Sequence, residues 1–159
     1  MKMDTRILVT GANGFIGSNI ISELLATNTP VTALVRNKSN TEYLKSIKCY
    51  NVISTDNYLD PIVLRKLTMS KPEYIIHCAW ADNDMGNTKN LLNILEMAKI
   101  LNCKGLITLG SYKEYGILRK KLNEDLICNP KEKFSRIKYS LSILTKEICL
   151  SMGIKHIHL

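Results

Sequence analysis

Three glycines at regular spacing are the strongest chemical signal in the sequence. Gly11, Gly14 and Gly17 follow an apolar run at residues 7–9 and precede an amphipathic segment at residues 18–26. Glycines at this spacing let a strand turn sharply into a helix and let the backbone approach a pyrophosphate closely. The first amides of such a helix face the phosphates. The stretch therefore predicts a dinucleotide site formed by Gly11, Asn13, Gly14, Phe15, Ile16 and Gly17.

Length and composition predict one globular domain over residues 1–159. The chain is 45% hydrophobic and 23% charged, which is ordinary for a globular protein. Its apolar runs are all shorter than the roughly 18 residues that a membrane helix needs. Residues 1–6 contain no apolar signal region. From these observations we expect a cytoplasmic protein without a membrane segment.

The net charge of +8 does not by itself indicate a nucleic-acid partner. The basic residues are scattered, and the densest groups lie at residues 119–121 and 131–133. Because no aromatic stacking platform accompanies them, we do not expect a nucleic-acid partner, whereas a nucleotide ligand suits the charge. The five cysteines are far apart and predict free thiols, with neither a disulfide framework nor a metal site.

Short apolar segments alternate with amphipathic ones along the whole chain. Predicted strands lie at residues 7–9, 31–36, 50–54, 73–80, 106–109 and 154–159, and predicted helices at 18–26, 38–48, 61–70, 83–101 and 134–152. This alternation is typical of an α/β protein with a buried parallel sheet. We predict a Rossmann-like doubly wound sheet of about six strands in the order 3-2-1-4-5-6.

The ends of the predicted strands supply candidates for the adenosine half of a dinucleotide. Arg36 ends the second strand, 19 residues after Gly17, and no acidic residue follows it through Asn40. An arginine at this place accommodates a 2′-phosphate, whereas a carboxylate would bind a free 2′-hydroxyl. We therefore predict NADP, with NAD as the alternative, although Arg36 also fits an ordinary surface arginine. Asp56, after the third strand, could accept a hydrogen bond from the adenine amino group.

His77 lies at the end of the fourth predicted strand, where ligands bind in open α/β sheets. A lone histidine there is more often a structural residue, hydrogen-bonded to a neighbouring segment, than a catalyst. Asp60 directly precedes Pro61 and is more simply a helix N-cap than a ligand-binding residue.

Several motifs in the right order make the chain resemble the extended short-chain dehydrogenase/reductase family. That family contains NAD(P)-dependent nucleotide-sugar epimerases, dehydratases and 4-ketoreductases. The motifs are the glycine triplet, Ile76-His77-Cys78-Ala79, Asn83-x-x-Gly86-x-Thr88-x-Asn90-Leu91-Leu92, Gly110-Ser111-x-x-x-Tyr115-Gly116 and Asn123-Glu124-Asp125. The resemblance implies that Ala79 borders the cofactor and that a nucleotide sugar is the substrate.

The resemblance also assigns catalytic roles. Ser111 would hydrogen-bond the sugar 4-oxygen, and Glu124 and Asp125 resemble the loop acid before the catalytic helix. In the family a tyrosine acts as acid/base four residues before a lysine that lowers its pKa and holds the nicotinamide ribose. That lysine is Lys138, but four residues before it stands Phe134.

Two other phenols could be considered for the missing acid. Tyr139 adjoins Lys138 and would point about 100° away around the helix, so it is a packing residue rather than a relocated acid. Tyr115 lies near the strand end, where the family uses it for local structure or substrate contact.

Family members continue for another lobe that grips the sugar nucleotide, and we expect that C-terminal substrate lobe to be missing here. The sixth strand would then be an uncovered edge, open to pairing with a second copy or another partner chain. Two hypotheses remain: an NADP-dependent enzyme of impaired activity, or a non-catalytic dinucleotide-binding module. If the chain binds neither NADP nor NAD, only a third possibility is left: a decayed gene remnant or a fragment of a longer protein.

Overall fold

A parallel sheet forms the centre of the molecule. The computed structural model describes residues 5–117 and 121–159, so the basic group at Arg119 and Lys120 and the start of the chain at residues 1–4 lie outside it. The strands of the described part are β1 Ile7–Thr10, β2 Val31–Val35, β3 Val52–Ser54, β4 Tyr74–His77, β5 Gly105–Thr108 and β6 Lys155–His158. All pairings are parallel, in the order β3-β2-β1-β4-β5-β6. The predicted doubly wound fold is confirmed.

The helices cover both faces of the sheet. They are α1 Phe15–Ala26, α2 Glu42–Ser46, α3 Pro61–Ser70, α4 Asp84–Ile100 and α5 Lys133–Ser151, with a short 3-10 helix at Tyr112–Tyr115 that the sequence did not predict. None of the helices in the described ranges is long and apolar enough to cross a membrane.

Alternate residues of β1 to β5 enter two separate cores. Leu8 and Ile75 join the core beneath α3, α4 and α5, whereas Val9 and Ile76 join the core beneath α1 and α2. Because both faces of these five strands are buried, most of their residues are apolar. This explains why short continuous apolar runs, rather than alternating ones, marked the strands in the sequence.

Several predicted elements were too long, because the regular hydrogen-bonded structure is shorter than the apolar or amphipathic pattern. β4 ends at His77, and residues 78–80 are irregular backbone beyond the carboxyl end of that strand. β2 ends at Val35, so Arg36 lies just outside the ladder. α2 covers only Glu42–Ser46, since Lys38 adopts a left-handed conformation with φ of 62°.

The turn between β1 and α1 is packed against the end of β4. Gly11 has φ of +63°, and a Cβ atom there would lie 2.6 Å from the amide nitrogen of Ala79. A Cβ at Gly17 would collide with the carbonyl group of Gly11. Gly14 is the N-cap of α1 and provides no side-chain cap, so the first-turn amides of this helix are available to a ligand. Glycine at positions 11 and 17 is thus a steric requirement of the turn.

A buried hydrogen bond joins the ends of β1 and β4. Nδ1 of His77 lies 2.7 Å from Oγ1 of Thr10, its neighbour in the ladder. Burial lowers the pKa of His77 to about 4, and the nearby Lys138 ammonium contributes in the same direction. His77 is therefore neutral near pH 7, and its contact with Thr10 supports a structural role for the ring.

Replacing Gly11 by alanine should destabilise the fold far more than the same change at Gly153. Both glycines have positive φ, but a Cβ at Gly153 would meet nothing within 4 Å. Gly153→Ala should cost about 1 kcal/mol, the strain of the left-handed conformation. Gly11→Ala adds a clash with the Ala79 backbone and should cost at least about 2 kcal/mol more. Urea unfolding measures both, and equal losses would contradict the steric argument.

The buried neutral His77 should make stability fall as the solution is acidified. The pKa of His77 is near 6.5 in the unfolded chain and about 4 in the folded chain. Between these values the unfolded chain therefore binds a proton that the folded chain does not. The stabilisation is present above pH 6.5 and is lost as the pH falls toward 4, by about 2 kcal/mol at pH 4.5. His77→Asn should remove that part of the slope between pH 7.5 and 4.5 in urea unfolding. A variant whose slope equals that of the parent protein would contradict the argument.

Candidate functional site

A cavity of about 400 Å³ opens beside the glycine turn at the carboxyl ends of β1 to β4. We call it the glycine-loop cavity. Six of the residues predicted to bind a cofactor line it: Gly11, Asn13, Gly14, Arg36, Asp56 and Ala79. Residues from four separate segments of the sequence therefore converge on one concave surface, as expected where parallel strands end together.

The far end of the glycine-loop cavity carries both charge signs. Arg36 and Asp56 are exposed, and Asn37 donates to the Asp56 carboxylate from its backbone nitrogen at 3.1 Å and its side-chain Nδ2 at 3.0 Å. These two bonds fix the orientation of the carboxylate. Tyr58 also lines this end; burial raises the pKa of its phenol, and the positive charge of Arg36 partly offsets that effect.

A second cavity, of about 300 Å³, lies over the ends of β4 and β5. We call it the Lys138 cavity. Its lining includes Ile16, Ser111, Phe134 and Lys138. Both cavities are lined by Cys78, Ala79 and Trp80, the irregular residues that follow β4. The two cavities therefore meet at one point of the chain.

Two residues of the predicted dinucleotide site line neither cavity. Phe15 begins α1 with its side chain 87% exposed, and Gly17 is buried beneath the turn. Their places in the helix's first turn leave their backbone amides as the groups that could meet a phosphate.

Lys138 has an unusual set of partners. Its ammonium nitrogen donates a hydrogen bond to the carbonyl oxygen of Leu109 at 2.6 Å and lies 4.1 Å from the centroid of the Trp80 ring. Burial lowers the pKa of Lys138, and the carboxylate of Glu114 opposes that shift. The side chain is thus placed at the cavity wall with its charge only partly solvated.

Ser111 lies at the start of the 3-10 helix that follows β5. Its hydroxyl oxygen accepts a long hydrogen bond of 3.3 Å from the backbone of Lys113, and its own amide donates to Oε1 of Glu114 at 2.8 Å. This reciprocal capping arrangement fixes the turn. The hydroxyl proton of Ser111 remains available to a ligand in the Lys138 cavity.

A chain of polar groups connects this turn to β6. Nε2 of His158 lies 3.1 Å from Oε2 of Glu114, whose side chain is only 4% exposed. The other ring nitrogen of His158 lies 2.9 Å from Oγ1 of Thr108, which is also 2.8 Å from Nε2 of His156. Burial lowers the pKa of His156 to about 4, with His158 and then Lys146 contributing. The buried carboxylate is therefore fully partnered and anchors Ser111.

Phe134 lies in the first turn of α5, on the same side as Lys138. Its ring is 5.7 Å from that of Trp80, at an interplanar angle of 73°. Tyr139 is not among the described residues that line the Lys138 cavity. Tyr115 and Glu124 line a neighbouring cavity of about 390 Å³, which Ser111 and His158 also border. Phe134 therefore occupies the position beside Lys138, and its side chain has no hydroxyl group.

Sequence reasoning missed three residues of this region: Trp80, Glu114 and His158. Trp80 had a usable signal, since it directly follows Ala79 at a strand end. Glu114 and His158 had none, because their pairing joins residues 44 positions apart.

Similarity to known proteins covers nearly the whole chain. The model of the NAD dependent epimerase/dehydratase family matches residues 7–159. An uncharacterised protein of Saccharomyces cerevisiae is 26% identical over 150 residues, which are 92% of this chain and 48% of the relative.

Solved structures show the same fold. A UDP-glucose 4-epimerase of Thermus thermophilus, crystallised with NAD, is 22% identical with a TM-score of 0.80, over 97% of this chain and 54% of that one. The Thermotoga maritima UDP-glucose 4-epimerase with UDP-glucose is 22% identical with a TM-score of 0.74, over the same shares. The chain thus spans about half the length of these proteins. With a family match that runs from the first residue of β1 to Leu159, the chain belongs to the NAD dependent epimerase/dehydratase family.

Proposed function

We propose that the chain binds a nicotinamide dinucleotide across the two cavities. The observation that carries the proposal is the glycine turn, in which a Cβ at Gly11 or Gly17 would collide with backbone. The turn thus places bare backbone beside the glycine-loop cavity, where a pyrophosphate can approach closely. The structure of the Thermus thermophilus relative contains NAD, which supports this ligand class.

In this proposal the pyrophosphate lies on the first turn of α1. Gly11, Asn13 and Gly14 form the loop, and the amides of Phe15, Ile16 and Gly17 point toward the phosphates. The positive end of the helix dipole adds to the attraction. The net charge of +8 favours the approach of such an anion.

The adenosine half would occupy the end of the glycine-loop cavity that holds Arg36. Its exposed guanidinium is free to form a bidentate contact with a 2′-phosphate. Asp56 is held by Asn37 and still has acceptor capacity for the adenine amino group. We therefore infer that NADP is preferred over NAD.

The nicotinamide half would occupy the Lys138 cavity, passing Ala79. Lys138 would bind the ribose hydroxyls, and Ser111 would hydrogen-bond the oxygen of a substrate carbonyl. When bound, such a cofactor supplies or accepts a hydride. The Thermotoga maritima relative holds UDP-glucose, so a nucleotide sugar is the proposed substrate.

Phe134 leaves two candidate functions for the chain, an impaired enzyme and a non-catalytic binding module. Without a phenol beside Lys138, general acid/base assistance of roughly 100- to 10,000-fold is lost, and the enzyme would be impaired or inactive. The same feature favours a non-catalytic dinucleotide-binding module. Its exposed strand β6, with Ile157 at the edge of the sheet, would suit pairing with a second copy or another chain.

Calorimetric titration should show that the chain binds NADP more tightly than NAD. A contact between Arg36 and a phosphate is worth roughly 1.5–3 kcal/mol, so the preference should be about 10- to 100-fold. Arg36→Asp should reverse it, because a carboxylate repels the 2′-phosphate and accepts from a 2′-hydroxyl. Arg65→Asp makes the same charge change on the exposed face of α3 and should leave the ratio unchanged. Equal affinities in the parent protein would refute the NADP preference, and binding of neither would refute the proposed function.

If the chain is an impaired enzyme, placing a phenol at position 134 should raise its catalytic activity. Phe134→Tyr should raise NADPH-dependent reduction of nucleotide 4-ketosugars by roughly 100- to 10,000-fold over the parent chain. Tyr139→Phe, which removes the neighbouring phenol from another side of α5, should change nothing. The assay follows NADPH absorbance against a cofactor blank. A rise of less than about tenfold would contradict the enzyme hypothesis and leave the binding module.

A further inference from the structure

Trp80 lies at the junction of the two cavities. Of the residues that line both, Cys78 and Ala79 are small, whereas Trp80 has the largest side chain in proteins. Its side chain is 40% exposed. A ligand that extends from the glycine turn into the Lys138 cavity must therefore pass along the indole ring.

The indole ring also holds the Lys138 ammonium. The nitrogen lies 4.1 Å from the Trp80 ring centroid, inside the range of a cation–π contact, and 5.8 Å from that of Phe134. No carboxylate of the described residues lies within ion-pair distance of it. A partly buried ammonium without an anion is costly, so the indole face and the Leu109 carbonyl supply the compensation.

Phe134 fixes the plane of the indole. The two rings meet edge to face, at 5.7 Å and 73°, which is a preferred arrangement for aromatic pairs. A phenol at position 134 could stabilise Lys138 directly. The phenyl ring packs on Trp80 and also lies 5.8 Å from the ammonium, so Trp80, Phe134 and Lys138 form one cluster.

We propose that Trp80 is a dinucleotide-binding residue that forms the wall between the two cavities and positions the Lys138 ammonium for the nicotinamide ribose. This inference rests on the proposed function, because it assumes that the ligand spans both cavities. It adds a residue that the glycine motif does not contain, and it gives Phe134 a role in binding.

Removing the indole should weaken NADP binding without unfolding the chain. By calorimetry, Trp80→Ala should raise the Kd for NADP roughly 3- to 30-fold, the range of a cation–π contact. Trp80→Phe keeps an aromatic face and should cost no more than about threefold. Lys138→Met should weaken binding less in the Trp80→Ala background than alone, because the two residues act together. Urea midpoints of all variants report whether the fold is retained, and if Trp80→Ala does not fold, the effect of Lys138→Met on tryptophan emission decides the proposal.

Trp80 is the single tryptophan of the sequence, so its fluorescence reports this contact directly. In the ligand-free protein, Lys138→Met should alter the emission spectrum. The matched control Lys146→Met removes an exposed lysine of the same helix and should not. NADP should then change the emission of the parent protein.

The outcomes separate the two proposals. If the parent protein binds NADP and Trp80→Ala binds it equally well, the role of Trp80 is refuted while the proposed function stands. An emission spectrum unchanged by Lys138→Met refutes the positioning of Lys138. If the parent protein binds neither dinucleotide, the proposed function fails and the role of Trp80 fails with it.

Discussion

The close approach of two backbones at the carboxyl edge of the sheet is the constraint on which this site depends. The turn at Gly11 packs so tightly on Ala79 that no side-chain atom fits between them. This contact holds the irregular residues after β4 beside the glycine loop. Because those residues border both cavities, the two cavities adjoin there. The placement of the two cavities beside one another therefore follows from a backbone contact.

The sequence predicted elements well where local chemistry defines their ends. The bounds of α3 were right, because Asp60 caps its first amides, Pro61 begins it and Lys71 ends it in a left-handed conformation. The bounds of α2 were wrong, since a polar segment with helical spacing looks the same whether or not its first residues are helical. The strand order was predictable because parallel connections of this kind have a preferred hand and arrangement.

The candidate site was predictable only in part, for a different physical reason. Positions whose backbone conformation requires glycine, such as Gly11, can be recognised from residue type and spacing. Contacts between side chains of distant segments do not: the pairing of Glu114 with His158 and of Lys138 with Trp80 depends on how β6 and α5 pack against the strand ends. The family resemblance implied that Lys138 meets a ribose, but nothing in the sequence indicated that it lies against an indole.

Cofactor binding and catalysis rest on different kinds of feature in our proposal. Binding depends on the backbone geometry of the glycine turn, which single side-chain changes elsewhere leave intact. Acid/base chemistry depends on one oxygen atom, and Phe134 lacks it. The phenyl ring nevertheless packs against Trp80 and so helps to keep Lys138 at the cavity wall. In this proposal, the residue at position 134 lacks the acid and still keeps the cation that would bind the ribose, so cofactor binding does not require catalysis.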